Sequence, residues 1–215
     1  MKKLNITEIF YSLQGEGPFM GVPAVFVRLA NCVPPYCSFC DTPHSLKDGY
    51  DIEVIKLAEE ICNFQCKLIV ITGGEPFLQW DNGLKELEDI LCENGYQVQY
   101  ETSGKVKIEP SDNERTVICS PKQIGDFKSN EWAFIPENVS EVTSFKFIYD
   151  DNEEQIQNFI DQYEIPNQKL FLMPEGKTKE EQMRKMEATW DTCARNHWKF
   201  SPRLHILTFD QKAGV

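Results

Sequence analysis

A chain of 215 residues with 41% apolar composition is long enough to bury one sizeable core and too apolar to stay disordered. A formal net charge of −12 supplies none of the clustered Lys and Arg that a nucleic-acid backbone needs, which excludes direct grip on DNA or RNA. No apolar run approaches the ~20 residues of a membrane helix, and MKKLNITEIF lacks the apolar stretch of a signal peptide, so no membrane association and a cytoplasmic location with reduced thiols are expected.

ITEIFYS (6–12) and PAVFVRLA (23–30) are β-rich, with period-two alternation in the second. Residues 31–50 carry Cys, Pro, Asp and Gly without a period and read as a loop. DIEVIKLAEEICNF (51–64) spaces its apolar residues by three and four behind an Asp N-cap, predicting a helix. KLIVITGGEP (67–76) is an apolar strand that runs into a Gly-Gly turn, the pattern of a buried parallel strand. A helix over about 80–93 closes on Asn94-Gly95, and a strand follows at 96–104. RTVICSPK (115–122) and TSFKFIYD (143–150) are strands, 151–162 a helix, 167–174 a strand, 177–196 a helix, and RLHIL (203–207) a terminal strand. This order predicts an α/β fold with about six mainly parallel strands, three or four substantial helices, and ligands at the strands' carboxyl ends. A full eightfold barrel takes ~250 residues, so the expected architecture is an incomplete, open TIM-like barrel. There is no repeat, low-complexity tract or linker, and one domain over 1–215 is expected.

Cys32, Cys37 and Cys40 fall within NCVPPYCSFCDTPH (31–44) with spacing C-x4-C-x2-C. Clustered thiols in a reducing compartment read as metal ligands. Three thiolates from one short loop can hold three corners of an iron–sulfur cluster and leave the fourth iron open. With His44 they can equally form a Cys3His zinc site. Cys62, Cys66, Cys92, Cys119 and Cys193 sit among apolar neighbours and read as packing residues. In IVITGGEP (69–76) the paired glycines let the backbone approach a ligand closely, and Pro76 stiffens the exit.

Gln14 and Glu16 in QGEG offer an amide and a carboxylate to a nitrogen-rich heterocycle, although the tetrapeptide also suits a surface turn. Gly15, Gly17 and Gly21 do not form a dinucleotide fingerprint, because Pro18 intervenes and no helix follows. Arg28 ends an apolar strand and needs an anion there, either a substrate carboxylate or a protein acid. Thr42 is either a turn residue or a hard oxygen ligand for Mg²⁺. Ser103, Ser120 and Lys122 stand at strand ends, within reach of ligand oxygens, and His205 is either a core histidine or a ligand contact.

The ordered set QGEG, FVRL, CDT, GGEP, ETSG, SPK and RLH resembles the radical S-adenosylmethionine (SAM) superfamily and, within it, the 7-carboxy-7-deazaguanine synthase family. The likeness runs from residue 8 to the C-terminus and is poorest over 105–115 and 123–142. The cysteine spacing departs by one residue from the family's commonest C-x3-C-x2-C, with Pro34-Pro35 in the widened gap. The resemblance implies a [4Fe–4S] cluster on Cys32, Cys37 and Cys40, with the methionyl group of SAM chelating its open iron. It implies SAM contacts from Gly73, Gly74, Glu75, Thr102, Ser103, Ser120 and Lys122, an Mg²⁺ on Thr42, and a pterin site of Gln14, Glu16, Arg28 and His205.

The implied activity is a lyase step of queuosine precursor synthesis, from 6-carboxy-5,6,7,8-tetrahydropterin to 7-carboxy-7-deazaguanine. A 5′-deoxyadenosyl radical takes hydrogen from pterin C6, the ring contracts, ammonia leaves and SAM is regenerated, so no side chain performs the abstraction. A flavodoxin or ferredoxin reductant and a homodimer are implied as well. A glycyl-radical-enzyme activase and a zinc-stabilised binding module on Cys32, Cys37, Cys40 and His44 are the competing readings.

Overall fold

The amino-terminal alternation folds as a hairpin, with β1 (Lys3–Leu13) antiparallel to β2 (Pro23–Leu29). The free edge of β1 recruits β3 (Tyr50–Glu53). That pairing overrides the predicted helix start. Asp51, expected as an N-cap, lies opposite Asn5 and accepts its side-chain amide at 2.8 Å, so α1 spans only Val54–Cys62. The computed structural model describes every residue except Phe39, Asp41, Lys47, Asp48, Ala213 and Val215, and Asp41 of the CDT motif therefore lies outside the described residues.

The remaining strands are β4 (Leu68–Gly73), β5 (Gln97–Thr102), β6 (Arg115–Cys119), a separate hairpin of β7 (Lys122–Gln123) and β8 (Trp132–Ala133), then β9 (Ser144–Tyr149), β10 (Leu170–Pro174) and β11 (Lys199–Phe200). The nine-stranded sheet runs β11-β10-β9-β6-β5-β4-β2-β1-β3. From β2 to β11 every pairing is parallel. Among the described residues the two end strands do not pair, so the barrel is open.

Three further helices pack on the sheet: α2 (Lys85–Glu93), α3 (Glu153–Gln162) and α4 (Lys179–Asn196). In α4 a capping box fixes the start. Thr178 Oγ1 accepts from Glu181 N at 3.2 Å, and the Glu181 carboxylate accepts from Thr178 N at 3.0 Å. Strand–helix alternation breaks twice, because the β5–β6 and β6–β9 connections contain no α-helix.

The terminal strand expected at 203–207 is instead α5 (Leu204–Phe209). Beyond the two-residue β11 no strand is placed to pair with it, so its backbone satisfies itself locally through Leu207 N to Arg203 O and Asp210 N to Ile206 O.

Helical residues at three- and four-residue spacing, such as Val54, Leu57, Ala58 and Ile61, cover one sheet face together with Val25, Val27, Ile69 and Ile71. The opposite face carries a smaller apolar patch of Ala24, Phe26, Leu68 and Val70. Cys119 and Cys193 are buried, and Cys66 and Cys92 pack against the core, but Cys62 is exposed and is not a packing residue. Among the described residues no helix is long and apolar enough to cross a membrane.

Candidate active site

Successive side chains of a strand point to opposite faces. On β5 and β9, Val98, Tyr100, Phe145 and Phe147 join the core, which turns Gln99, Glu101, Lys146 and Ile148 to the other face. Glu101, Lys146 and Ile148 line a cavity of about 670 Å³ whose wall also includes Phe26, Val70 and the residues just beyond the carboxyl ends of the parallel strands. The same cavity is lined by Cys32, Cys37, Cys40, Thr42, Gln14, Glu16, Arg28, Gly73, Gly74, Thr102, Ser103, Ser120, Lys122 and His205. The expected site residues, apart from Glu75, thus share one wall.

The polar centre of the cavity is a buried acid–base cluster. Lys146 Nζ stands 2.5 Å from Glu16 Oε2 and 2.8 Å from Glu101 Oε2, and Arg203 Nε donates to Glu16 Oε1 at 3.0 Å. Glu101 Oε1 accepts from Gln99 at 2.8 Å and from Gln14 at 3.4 Å. Burial alone would raise the Glu16 carboxyl, but Lys146, Arg203 and His205 overcome it and hold the group well below the ordinary carboxylate range. Burial dominates at Glu101 and raises it despite Lys146. Burial would lower Lys146, yet the two carboxylates hold its ammonium well above the ordinary lysine value. The cluster therefore presents one firmly ionised acid and one held by a shared cation.

The QGEG turn is not a free surface turn. Gly17 N donates to Ser201 Oγ at 2.8 Å and Leu204 N donates to Gly15 O at 3.0 Å. A Cβ on Gly15 would lie 2.4 Å from His205 Nδ1, so only glycine lets the two segments meet. His205 is consequently a cavity residue on α5, 4.0 Å from Glu16 Oε1.

The cysteine loop leaves β2 through Asn31, whose φ is 72°. It is tied to the GGEP turn by Gly74 N to Leu29 O at 2.9 Å and Glu75 N to Asn31 O at 2.8 Å. A Cβ on Gly74 would fall 1.7 Å from Asn31 O, and one on Gly73 would fall 2.1 Å from Leu29 O. The glycines thus serve the approach of two backbone segments, as well as exposing the turn to the cavity. Gly74→Ala should cost about 3 kcal/mol, the upper end for overpacking. Thermal melting should show it as a fall of roughly 6–12 °C, and an unchanged midpoint would refute the contact.

Glu75, expected among the SAM contacts, is fully buried beneath the wall. Its oxygens accept from Thr102 Oγ1 at 2.6 Å, Ser103 Oγ at 2.6 Å and Ser103 N at 3.0 Å. Burial raises its carboxyl, against those hydrogen bonds. Glu75 therefore joins the GGEP turn to the ETSG turn.

Arg28 has the protein acid: its Nε donates to Glu8 Oε1 at 2.5 Å while the residue stays on the cavity wall. His44 Nε2 lies 3.6 Å from that same oxygen. Among the described residues no group of three or more His, Cys, Asp or Glu converges on one ion. A cubane takes its thiolates at separate corners rather than on one ion. The donor set of three free, half-buried thiols on one cavity wall fits the cluster. Lys122 Nζ donates to Ser120 Oγ at 2.7 Å.

Glu101, Lys146 and Arg203 escaped the sequence reading. For two of them the signal was present as a charged residue alternating with core positions on a predicted strand: Lys146 stands between Phe145 and Phe147, and Glu101 follows Tyr100. Arg203 stood only as part of the RLH motif.

Fold and cavity together define a radical SAM-type open barrel. The chain is 36% identical to the 7-carboxy-7-deazaguanine synthase of Pyrobaculum aerophilum over 226 aligned positions, covering 99% of this chain and 97% of that one. It is 33% identical to the same enzyme of Hyperthermus butylicus, over 95% and 92% of the two chains. It also superposes on the crystal structure of QueE from Escherichia coli with a TM-score of 0.76 and 25% identity, covering 94% of this chain and 95% of that one. No family model matches the chain. The chain belongs to the 7-carboxy-7-deazaguanine synthase family.

Proposed function

We propose that this chain converts 6-carboxy-5,6,7,8-tetrahydropterin to 7-carboxy-7-deazaguanine, with a [4Fe–4S] cluster on Cys32, Cys37 and Cys40, SAM, and an Mg²⁺ held by Thr42. The observation that carries this reading is the single cavity that unites the three thiols with the Glu16–Lys146–Glu101 cluster. When bound, the cluster and SAM supply the radical that abstracts hydrogen. The chain's own residues bind and orient the pterin and keep water away.

Glu16, ionised and acceptor-only, has about four acceptor sites, and Lys146 and Arg203 occupy two of them. The adjacent N–H groups of a pterin's guanidine-like edge suit the remainder. Gln14, bonded to Glu101, adds an amide that can both donate and accept. Arg28 has five N–H donors and gives Nε to Glu8, which fixes its fork as a partner for the pterin carboxylate. His205 closes the edge beside Glu16. Gly73, Gly74, Thr102, Ser103, Ser120 and Lys122 form the SAM wall, with Glu75 acting through Thr102 and Ser103. A flavodoxin or ferredoxin donor, a homodimer, a single domain over 1–215 and a cytoplasmic location complete the reading.

The test is anaerobic incubation of iron-loaded protein with SAM, Mg²⁺, a low-potential reductant and the tetrahydropterin, followed by mass spectrometry for the deazaguanine. SAM cleavage without product would sink the substrate assignment. Glu16→Gln replaces an acceptor by a donor, so turnover should fall by roughly 30-fold or more at unchanged iron content.

A further inference from the structure

Lys105 follows the ETSG turn and reaches back across the cavity mouth to the cysteine loop. Its Nζ donates to Pro35 O at 2.6 Å and stands 3.9 Å from Cys37 Sγ, within contact range of a sulfur acceptor. The turn that delivers it is held firmly: Lys105 N donates to Ser103 Oγ at 3.4 Å, and Ser103 is itself fixed by Glu75. Gly104 has φ 73° and a Cβ there would lie 2.6 Å from Phe134, so the turn has little freedom. A second ammonium, Lys177 Nζ, donates to Ser38 O at 3.3 Å. Two cations therefore grip the loop in a chain whose net charge is −12.

We infer that Lys105 is a positioning residue that sets the reduction potential of the cluster held by Cys32, Cys37 and Cys40. This rests on the cluster assignment above. Adding one electron to a cubane on three thiolates makes an already anionic group more negative, with no bond broken and no proton taken up. The net negative charge of the chain opposes that electron, while a cation and an N–H beside a ligating sulfur favour it, and such contacts are among the determinants of cluster potential.

The experiment is a dye-mediated redox titration with dithionite, read by electron paramagnetic resonance, on anaerobically loaded protein. Lys105→Met should lower the reduced-to-oxidised ratio at a fixed potential about tenfold, a downward midpoint shift of ~59 mV for one electron. Lys105→Arg, which keeps the charge, should recover most of it. Lys105→Gln keeps a donor for Pro35 O but loses the charge, so it separates loop placement from electrostatics and should behave like Lys105→Met. It also serves if the Met variant fails to load. Lys107→Met, at an exposed ion pair with Glu109, is the control and should match the wild type. A wild-type protein that takes up no cluster would overturn the cluster assignment. Loaded variants with the wild-type midpoint, or a Lys107→Met shift equal to that of Lys105→Met, would overturn the role of Lys105 alone.

Discussion

Cys32→Ala, Cys37→Ala and Cys40→Ala should each abolish iron uptake and product formation, while Cys62→Ala and Cys66→Ala should leave both intact. Wild-type protein reconstituted without oxygen should be brown and hold about four irons, because three thiolates close a cubane with one open corner. The first three thiols line the cavity, whereas Cys62 is exposed and Cys66 donates to Leu68 O at 3.6 Å. Iron analysis and the visible absorption band give the readout. Iron retained after loss of Cys32 but released by loss of Cys62 would show that the widened C-x4-C gap has recruited another thiol.

The second large effect is expected at Lys146, the only ammonium that the described residues place between Glu16 and Glu101. Lys146→Met leaves two adjacent carboxylates without their shared cation, and breaking a buried pair in this way costs about 3–5 kcal/mol. For a chain of this size that is roughly 6–20 °C in melting temperature. The pH dependence has a definite sign. In the wild type Glu16 is depressed, so its contribution is present above the ordinary carboxylate value of about 4.3 and is lost only as pH falls through the folded value. Without Lys146 the Glu101 carboxyl, already raised by burial, rises further, while Arg203 and His205 still face Glu16, so the folded variant binds more protons than the folded wild type and loses less stability as pH falls. The deficit should be greatest at neutral pH and should narrow toward pH 5. Melting curves at pH 7.5 and 5 decide it, and a deficit that widens on acidification would contradict the shared-cation arrangement.

Much of this architecture was legible from short-range pattern. The apolar run 68–71 and the alternation of 24–29 specify strands because their side chains must satisfy both faces of a covered sheet. What local pattern could not show was edge chemistry. Asp51 looks like a helix cap until the open side of β1 claims it, and RLHIL looks like a strand until no neighbour is found to pair with it. Among the site residues, the cysteines and glycines declare themselves by crowding. Arg28 was ambiguous because its acid partner, Glu8, is 20 residues away in sequence. Lys146 was missed for a related reason: a charge within an apolar strand acquires meaning only when the strand is known to face a cavity.

The clasp between Gly15–Gly17 and Ser201–Leu204 has a consequence for biosynthesis. The strands that carry the cysteine loop and the GGEP turn leave the ribosome early, but Ser201, Arg203 and Leu204, which pin QGEG in place, are translated only after every strand of the sheet. A nascent chain can thus assemble its thiol loop against the GGEP turn well before Glu16 acquires Arg203. The thiol loop and the QGEG turn would then reach their final positions at different times. A chain cut before Ser201 would keep the contacts between the thiol loop and the GGEP turn but lose the clasp on QGEG.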